Sequence, residues 1–219
     1  MSCEASDQVQ AYFKSRGYEV MLFEGDKTYP AVKNHPDLYM FYDKGLICDP
    51  SVKVDVHQTH GPSIGPSYPA NVTYNFAKLG SYIIGLEAAL CQVMRDHMDK
   101  MGYDLIAVNQ GYAKCSVGIV DDRSLITSDK GIYKACQARG LDVLLIQPGH
   151  IHLPGLDYGF IGGTCVRVGQ DMFFAGAIED HPDYIAIRDF LEVRGLNCVG
   201  TQEPLRDLGS FILIESVII

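Results

Sequence analysis

The sequence predicts an α/β protein: a ring of five ββαβ units with pseudo-fivefold symmetry, closed by its N-terminal helix. Three observations carry that expectation. One outline recurs along the chain, a helix ending in a basic residue or Met, then Gly, then a short apolar strand, at Arg16-Gly17, Met101-Gly102, Arg139-Gly140 and Arg194-Gly195. Each of these strands leads through a polar loop to a further short strand, in three cases to a hairpin partner, and in two of those to a helix with cap-like residues at its start. The glycines stand 85, 38 and 55 residues apart, so the first gap holds two units and the count reaches five.

Taken in order, Asp7 to Arg16 has helical character with no strand before it. Tyr18 to Phe23 reads as an opening strand, Leu38 to Tyr42 as the second strand and Gly45 to Cys48 as the third. The stretch from His60 to Val72 is rich in Pro and Gly and reads as loop. Lys78 to Ile84 is a strand and Leu86 to Met101 a helix. The next unit runs through Tyr103 to Val108, Cys115 to Val120 and Leu125 to Thr127, then a helix capped by Ser128-Asp129. Leu141 to Ile146, Thr164 to Val168 and Met172 to Ala175 repeat the pattern. A helix follows Asp183, with Tyr184, Ile187, Phe190 and Leu191 on one apolar face. Leu196 to Val199 and Phe211 to Ile214 are the last strands, and their missing helix is the N-terminal one. The whole chain, 1–219, forms one domain of units at about 17–50, 51–101, 102–139, 140–194, and 195–219 with 7–16.

Composition narrows the function. The chain is 47% hydrophobic and 21% charged, which excludes disorder and fibrous repeats. A net charge of −9, with no basic run, argues against nucleic acid as partner. No stretch approaches the roughly 18–20 apolar residues of a membrane span. Seven scattered cysteines without a CxxC pair suit reduced thiols in the cytoplasm better than a disulfide framework or a structural zinc knuckle. The N-terminal residues have no apolar core of the signal-peptide kind.

The five-unit outline resembles the pentein superfamily, the α/β-propeller of guanidino-modifying enzymes such as arginine deiminase, dimethylarginine dimethylaminohydrolase and glycine amidinotransferase. The superfamily also includes the non-enzymatic translation initiation factor 6. The motifs Asn109-Gln-Gly-Tyr-Ala-Lys-Cys-Ser116 and Pro148-Gly-His-Ile-His-Leu-Pro-Gly-Leu-Asp-Tyr-Gly-Phe-Ile-Gly-Gly163 are similar to those of an uncharacterised bacterial family. The resemblance implies a cysteine that attacks the guanidinium carbon, a histidine that shuttles protons, and carboxylates that hold the cation. In those enzymes the cysteine lies near the C-terminus. Here that region, Leu208 to Ser210, has none, and Cys115 stands at the comparable place in the third unit.

Loops that follow the opening strands are expected to converge on a central cavity. They carry Glu24, Asp26 and Lys27; Asn71, Tyr74 and Asn75; Asn109, Gln110, Tyr112, Lys114 and Cys115; His150, His152, Asp157 and Tyr158; and Gln202, Glu203, Arg206, Asp207 and Ser210. Cys115 is the expected nucleophile, with Lys114 beside it to favour the thiolate. His150 and His152, two apart, are the expected proton shuttle, and Asp157 completes the catalytic set. Asp26, Asn109, Gln110, Lys114, Tyr158, Asp207 and Ser210 are expected to bind a small cationic substrate. His150 and His152 together with Asp55, His57 and His60 have metal-ligand chemistry but lack a recognised motif, so no metal and no cofactor is assigned. His35-Pro-Asp37 and His181-Pro-Asp183 recur; the second reads as a helix start, and neither is expected to be catalytic. Two functions follow: a hydrolase or amidinotransferase-type enzyme acting on a guanidino or amide compound, or a non-catalytic binder of a metabolite or protein on the same fold.

Overall fold

The computed structural model describes residues 1–214. Its core is four small sheets with one topology: an antiparallel hairpin, then a third strand parallel to the hairpin's second strand. The first sheet is β1 (Met40–Tyr42), β2 (Leu46–Cys48) and β3 (Gln58–His60). The second is β4 (Ala77–Leu79), β5 (Tyr82–Gly85) and β6 (Asp104–Ala107). The third is β7 (Gly118–Ile119), β8 (Ser124–Thr127) and β9 (Asp142–Leu145). The fourth is β10 (Cys165–Val168), β11 (Asp171–Phe174) and β12 (Asn197–Gly200).

Helices make the parallel crossovers in three sheets, as parallel pairing requires. They are α3 (Gln92–Met101), α5 (Lys130–Gln137) and α7 (Tyr184–Glu192), and α1 (Asp7–Lys14) stands before the first sheet. The capping signal of α5 acts as expected, whereas Asp183 heads α7 without a side-chain cap bond and accepts from the Gln147 amide instead. Asp129 accepts from the amides of Gly131 and Ile132, and Gly102 ends α3 in the left-handed conformation at φ 68°. The strands led by Gly102, Gly140 and Gly195 each pair with the hairpin before them, so these three sheets take their third strand from the following predicted unit.

The first sheet has no crossover helix, and Asp49 organises the connection instead. Its buried carboxylate accepts from Lys27 Nζ at 2.8 Å, from the Ser51 amide and hydroxyl at 2.7 and 2.6 Å, and from the Ile64 amide at 2.8 Å. Burial alone would raise its pKa; the ammonium of Lys27 and these donors outweigh that and hold it down at about 2.

Several predicted elements differ in detail. Lys78 to Ile84 is not one strand but the hairpin β4–β5, turning at Gly80 with φ 55°. The helix expected from Leu86 is a short 3₁₀ turn at Glu87–Ala89 followed by α3. Tyr18 to Phe23 contributes only a parallel bridge between Phe23 and Ser2, and Phe211 to Ile214 forms no named strand. The last five positions assigned to the fifth unit lie outside the described residues. Leu38, Cys115 and Thr164, predicted to open strands, lie instead in one-turn helices: α2 (Pro36–Tyr39), α4 (Ala113–Ser116) and α6 (Ile161–Thr164). A short apolar run has no period long enough to separate a buried turn of helix from a buried strand.

The N-terminal helix packs where the sequence places it, near the C-terminal segment. Val9 and Phe13 of α1 share a cluster with Phe173, Leu208 and Phe211, and Phe13 meets the Phe173 ring edge-on at 5.3 Å. Burying one such ring contributes about 1.5–3 kcal/mol. Among the described residues no helix is long and apolar enough to cross a membrane. All seven cysteines are free thiols.

Candidate functional site

The one-turn helices bring chemistry together. Asp37 stands three residues before β1 and Cys115 three before β7, so the same place in two units carries a carboxylate and a thiol. Their side chains meet: Cys115 Sγ donates to Asp37 Oδ2 at 3.0 Å. Asn75, just before β4, ties both down. Its Nδ2 donates to the Asp37 carbonyl at 3.2 Å and to Cys115 Sγ at 3.4 Å, while its Oδ1 accepts the Lys114 amide at 2.8 Å and the Cys115 amide at 3.3 Å. Those two amides belong to the first turn of α4 and have no partner within it.

A second carboxylate closes the cluster. Asp207 Oδ2 accepts from the Phe160 amide at 2.8 Å and Oδ1 from the Gly209 amide at 2.9 Å, with His35 Nδ1 at 3.9 Å from Oδ1. Two glycines permit this approach. A Cβ on Gly163 would collide with the Asp207 carboxylate, and one on Gly209, at φ 66°, with the Cα and Cβ of His35. Lys114 Nζ donates to Ser210 Oγ at 2.8 Å, and that hydroxyl donates to the Gly162 carbonyl at 2.7 Å.

His35, Asp37, Asn75, Cys115, Asp207 and Ser210 are all buried. Burial, then the charges of Asp37 and Asp207, raise the Cys115 thiol well above its usual pKa, so it rests protonated. Asp207 is also raised by burial, against the pull of His35 and the Phe160 and Gly209 amides. His35 Nδ1 and Asp37 Oδ1 are buried without a hydrogen-bond partner. Leaving such an atom unpaired costs about 1–3 kcal/mol. A stable fold gains nothing from keeping two of them beside a thiol, and perturbed, under-satisfied clusters of this kind gather at functional sites.

Four residues expected at the site meet here: Cys115, Lys114, Asp207 and Ser210. The others lie elsewhere. Asn109 and Gln110 line a cleft of about 370 Å³ with Asp129 and Gly131, where Gln110 Nε2 reaches Asp129 Oδ2 at 3.3 Å. His150 is exposed at φ 62°, its ring 5.7 Å from that of His181. His152 is exposed too, and its backbone rather than its ring touches the cluster, by accepting the Asp207 amide at 3.0 Å. Asp26, Asp157 and Tyr158 are exposed. The hydrogen bonds of Cys115 among the described residues run to Asp37 and Asn75, not to either predicted histidine.

His35 and Asp37 are the residues that sequence reasoning set aside. The recurring His-Pro-Asp tripeptide was the available signal, and Pro36 does start α2. Metal-ligand chemistry also gathers here: His35, Asp37 and Cys115 offer ligand atoms within 4.8 Å of one another. His60, of the histidines near Asp55, has its Nδ1 3.6 Å from Cys48 Sγ.

No curated protein matches the chain. Among solved structures, agmatine deiminase from C. jejuni is similar over 58% of this chain and 48% of its own, at 7% identity and a TM-score of 0.42. A cysteine-to-serine variant of that enzyme with substrate bound is similar over 58% and 49%, at 8% identity and a TM-score of 0.40. The chain thus spans about half the length of these structures. A family model described as "Family of unknown function (DUF6873)" matches residues 1–212, nearly the whole sequence, and the chain belongs to that family.

Proposed function

We propose that the chain is a pentein-like enzyme, a hydrolase or amidinotransferase-type catalyst acting on a small guanidino or amide compound. Cys115 is its nucleophile, His35 its proton carrier, and Asp37 and Asp207 its cation-binding carboxylates. One observation carries this reading: a thiol, an imidazole and two carboxylates from three segments of the chain, buried together with two polar atoms unpartnered. In this reading the Ser2–Phe23 parallel bridge, α1 and the segment around Phe211 stand in for a fifth unit beside the four sheets.

The chemistry follows from the contacts. A planar cation lying against Asp37 and Asp207 offsets the burial that keeps the thiol protonated. Cys115 Sγ passes its proton to Asp37 Oδ2, its hydrogen-bond partner, and attacks the central carbon. The carbon–sulfur bond forms as a C–N π pair moves onto nitrogen. The tetrahedral centre then expels an amine, protonated by His35, and leaves an S-linked amidino intermediate. Water, or an acceptor amine in a transferase, attacks that carbon and gives up its proton to His35, and the thiolate that leaves takes back the proton held by Asp37. Substrate entry requires loop movement, because Cys115 is only 2% exposed. The Tyr112 hydroxyl, near the start of α4, is tied to Tyr29 at 3.0 Å and to Asn71 at 3.1 Å, a latch across two loops.

The test is amine and ammonia release from a panel of guanidino and amidino compounds. At least one member should turn over, and Cys115→Ala should lower that rate by about 10³-fold or more. A panel wholly without turnover, or a Cys115→Ala variant as active as the parent, would move the assignment to the non-catalytic binder.

A further inference from the structure

We propose that His35, Asp37 and Cys115 form a binding site for a thiophilic divalent cation of the zinc class, a property that goes beyond the hydrolase reading and does not depend on it. The three ligand atoms already lie within 4.8 Å of one another, and all three residues are buried. Thiolate, imidazole and carboxylate together make the donor set that zinc accepts, whereas calcium and magnesium take oxygen. One divalent cation beside one thiolate and one carboxylate is electrically neutral, which removes the main obstacle to holding ions in a dry interior.

The surroundings are those of a supported metal site. Asn75 fixes the position of two ligands at once, through the Asp37 carbonyl and through Cys115 Sγ and its amide. Asp207 Oδ1 stands 3.9 Å from His35 Nδ1, beyond hydrogen-bond reach, and so leaves that nitrogen without a partner. Pro36 stiffens the backbone between His35 and Asp37 and adds no amide donor to the cavity. The two unpartnered buried atoms, His35 Nδ1 and Asp37 Oδ1, belong to two of the three proposed ligands. That is the second and independent sign of an absent partner. Cys48 and His60 form the rival thiol–imidazole contact, at 3.6 Å, and they serve as the control.

The experiment is a Co²⁺ titration of the full chain after chelator treatment, read by absorbance. A thiolate-to-cobalt charge-transfer band should saturate at one ion per chain and be bleached by Zn²⁺. Cys115→Ser should lose the band. His35→Gln and the near-isosteric Asp37→Asn should weaken affinity by more than the roughly 10–100-fold that follows loss of a mere supporting residue. Cys48→Ala and His60→Ala should leave the titration unchanged. Should Cys115→Ser fail to fold, the Asp37→Asn titration and a Zn²⁺-induced rise in the parent's Tm decide the matter. Absence of the band in the parent overturns the proposal. So does a band that survives Cys115→Ser and disappears in Cys48→Ala. None of these readings uses turnover, so a chain inactive on every guanidino compound leaves the test intact.

Discussion

Gly209→Ala should destabilise the chain by about 2–5 kcal/mol, more than the same change at a left-handed glycine with open space around it. Two costs add. At φ 66° an alanine meets the left-handed penalty of about 1–2 kcal/mol, and its Cβ is driven into the Cα and Cβ of His35. Overpacking against backbone that cannot rotate away adds typically 1–3 kcal/mol or more. Gly140 has φ 73° but nothing within 4 Å of the added carbon, so Gly140→Ala should cost only the first term, about 1–2 kcal/mol. Denaturant midpoints at unchanged m-value separate the two. Equal losses at both sites would show that the segment around Gly209 does not press on His35, and the close-packed cluster would be wrong.

His35→Gln should reduce turnover by about 10²–10⁴-fold, the usual worth of a positioned proton carrier, while His150→Ala and His152→Ala stay within a few-fold of the parent. The contrast rests on placement. His35 lies inside the cluster beside Asp207, whereas both other rings are on the surface. Folded fractions measured alongside kcat/KM separate a lost proton carrier from a lost fold. If His150→Ala removed activity and His35→Gln did not, the proton would travel by the predicted loop histidines and the buried cluster would be structural.

Much of the fold is legible in the sequence because it depends on local chemistry. Gly17, Gly102, Gly140 and Gly195 all adopt positive φ, and Asp129 caps its helix as its position implies. Hairpins at Gly45 and Gly169 follow from turn residues between apolar runs. The one-turn helices are not legible, since four residues make barely one turn and carry no period. That same failure hid part of the site. With Leu38 and Cys115 read as strand residues, Asp37 stood outside any element, and its match in position to Cys115 went unseen. Cys115, Lys114, Asp207 and Ser210 were legible because polar side chains between strongly apolar strands are conspicuous. His150, His152 and Asp157 share that conspicuousness yet point to solvent, because sequence shows which loop a residue is on and not which way the loop folds. The glycine pair 162–163 shows its purpose only in three dimensions, where Gly163 makes room for a carboxylate more than forty residues away.

The central claim, that Cys115 sits in a site built for a cation, is tested most directly by comparing two alkylating agents of equal size. Chloroacetamidine carries a positive charge and chloroacetamide none. With rates normalised to a free thiol and the labelled residue located by mass spectrometry, the cationic reagent should modify Cys115 at least about tenfold faster, equivalent to about 1.4 kcal/mol of added attraction. Asp37→Asn and Asp207→Asn should each shrink that ratio. Equal normalised rates, or labelling that bypasses Cys115 for the half-buried Cys3 or Cys91, would contradict it.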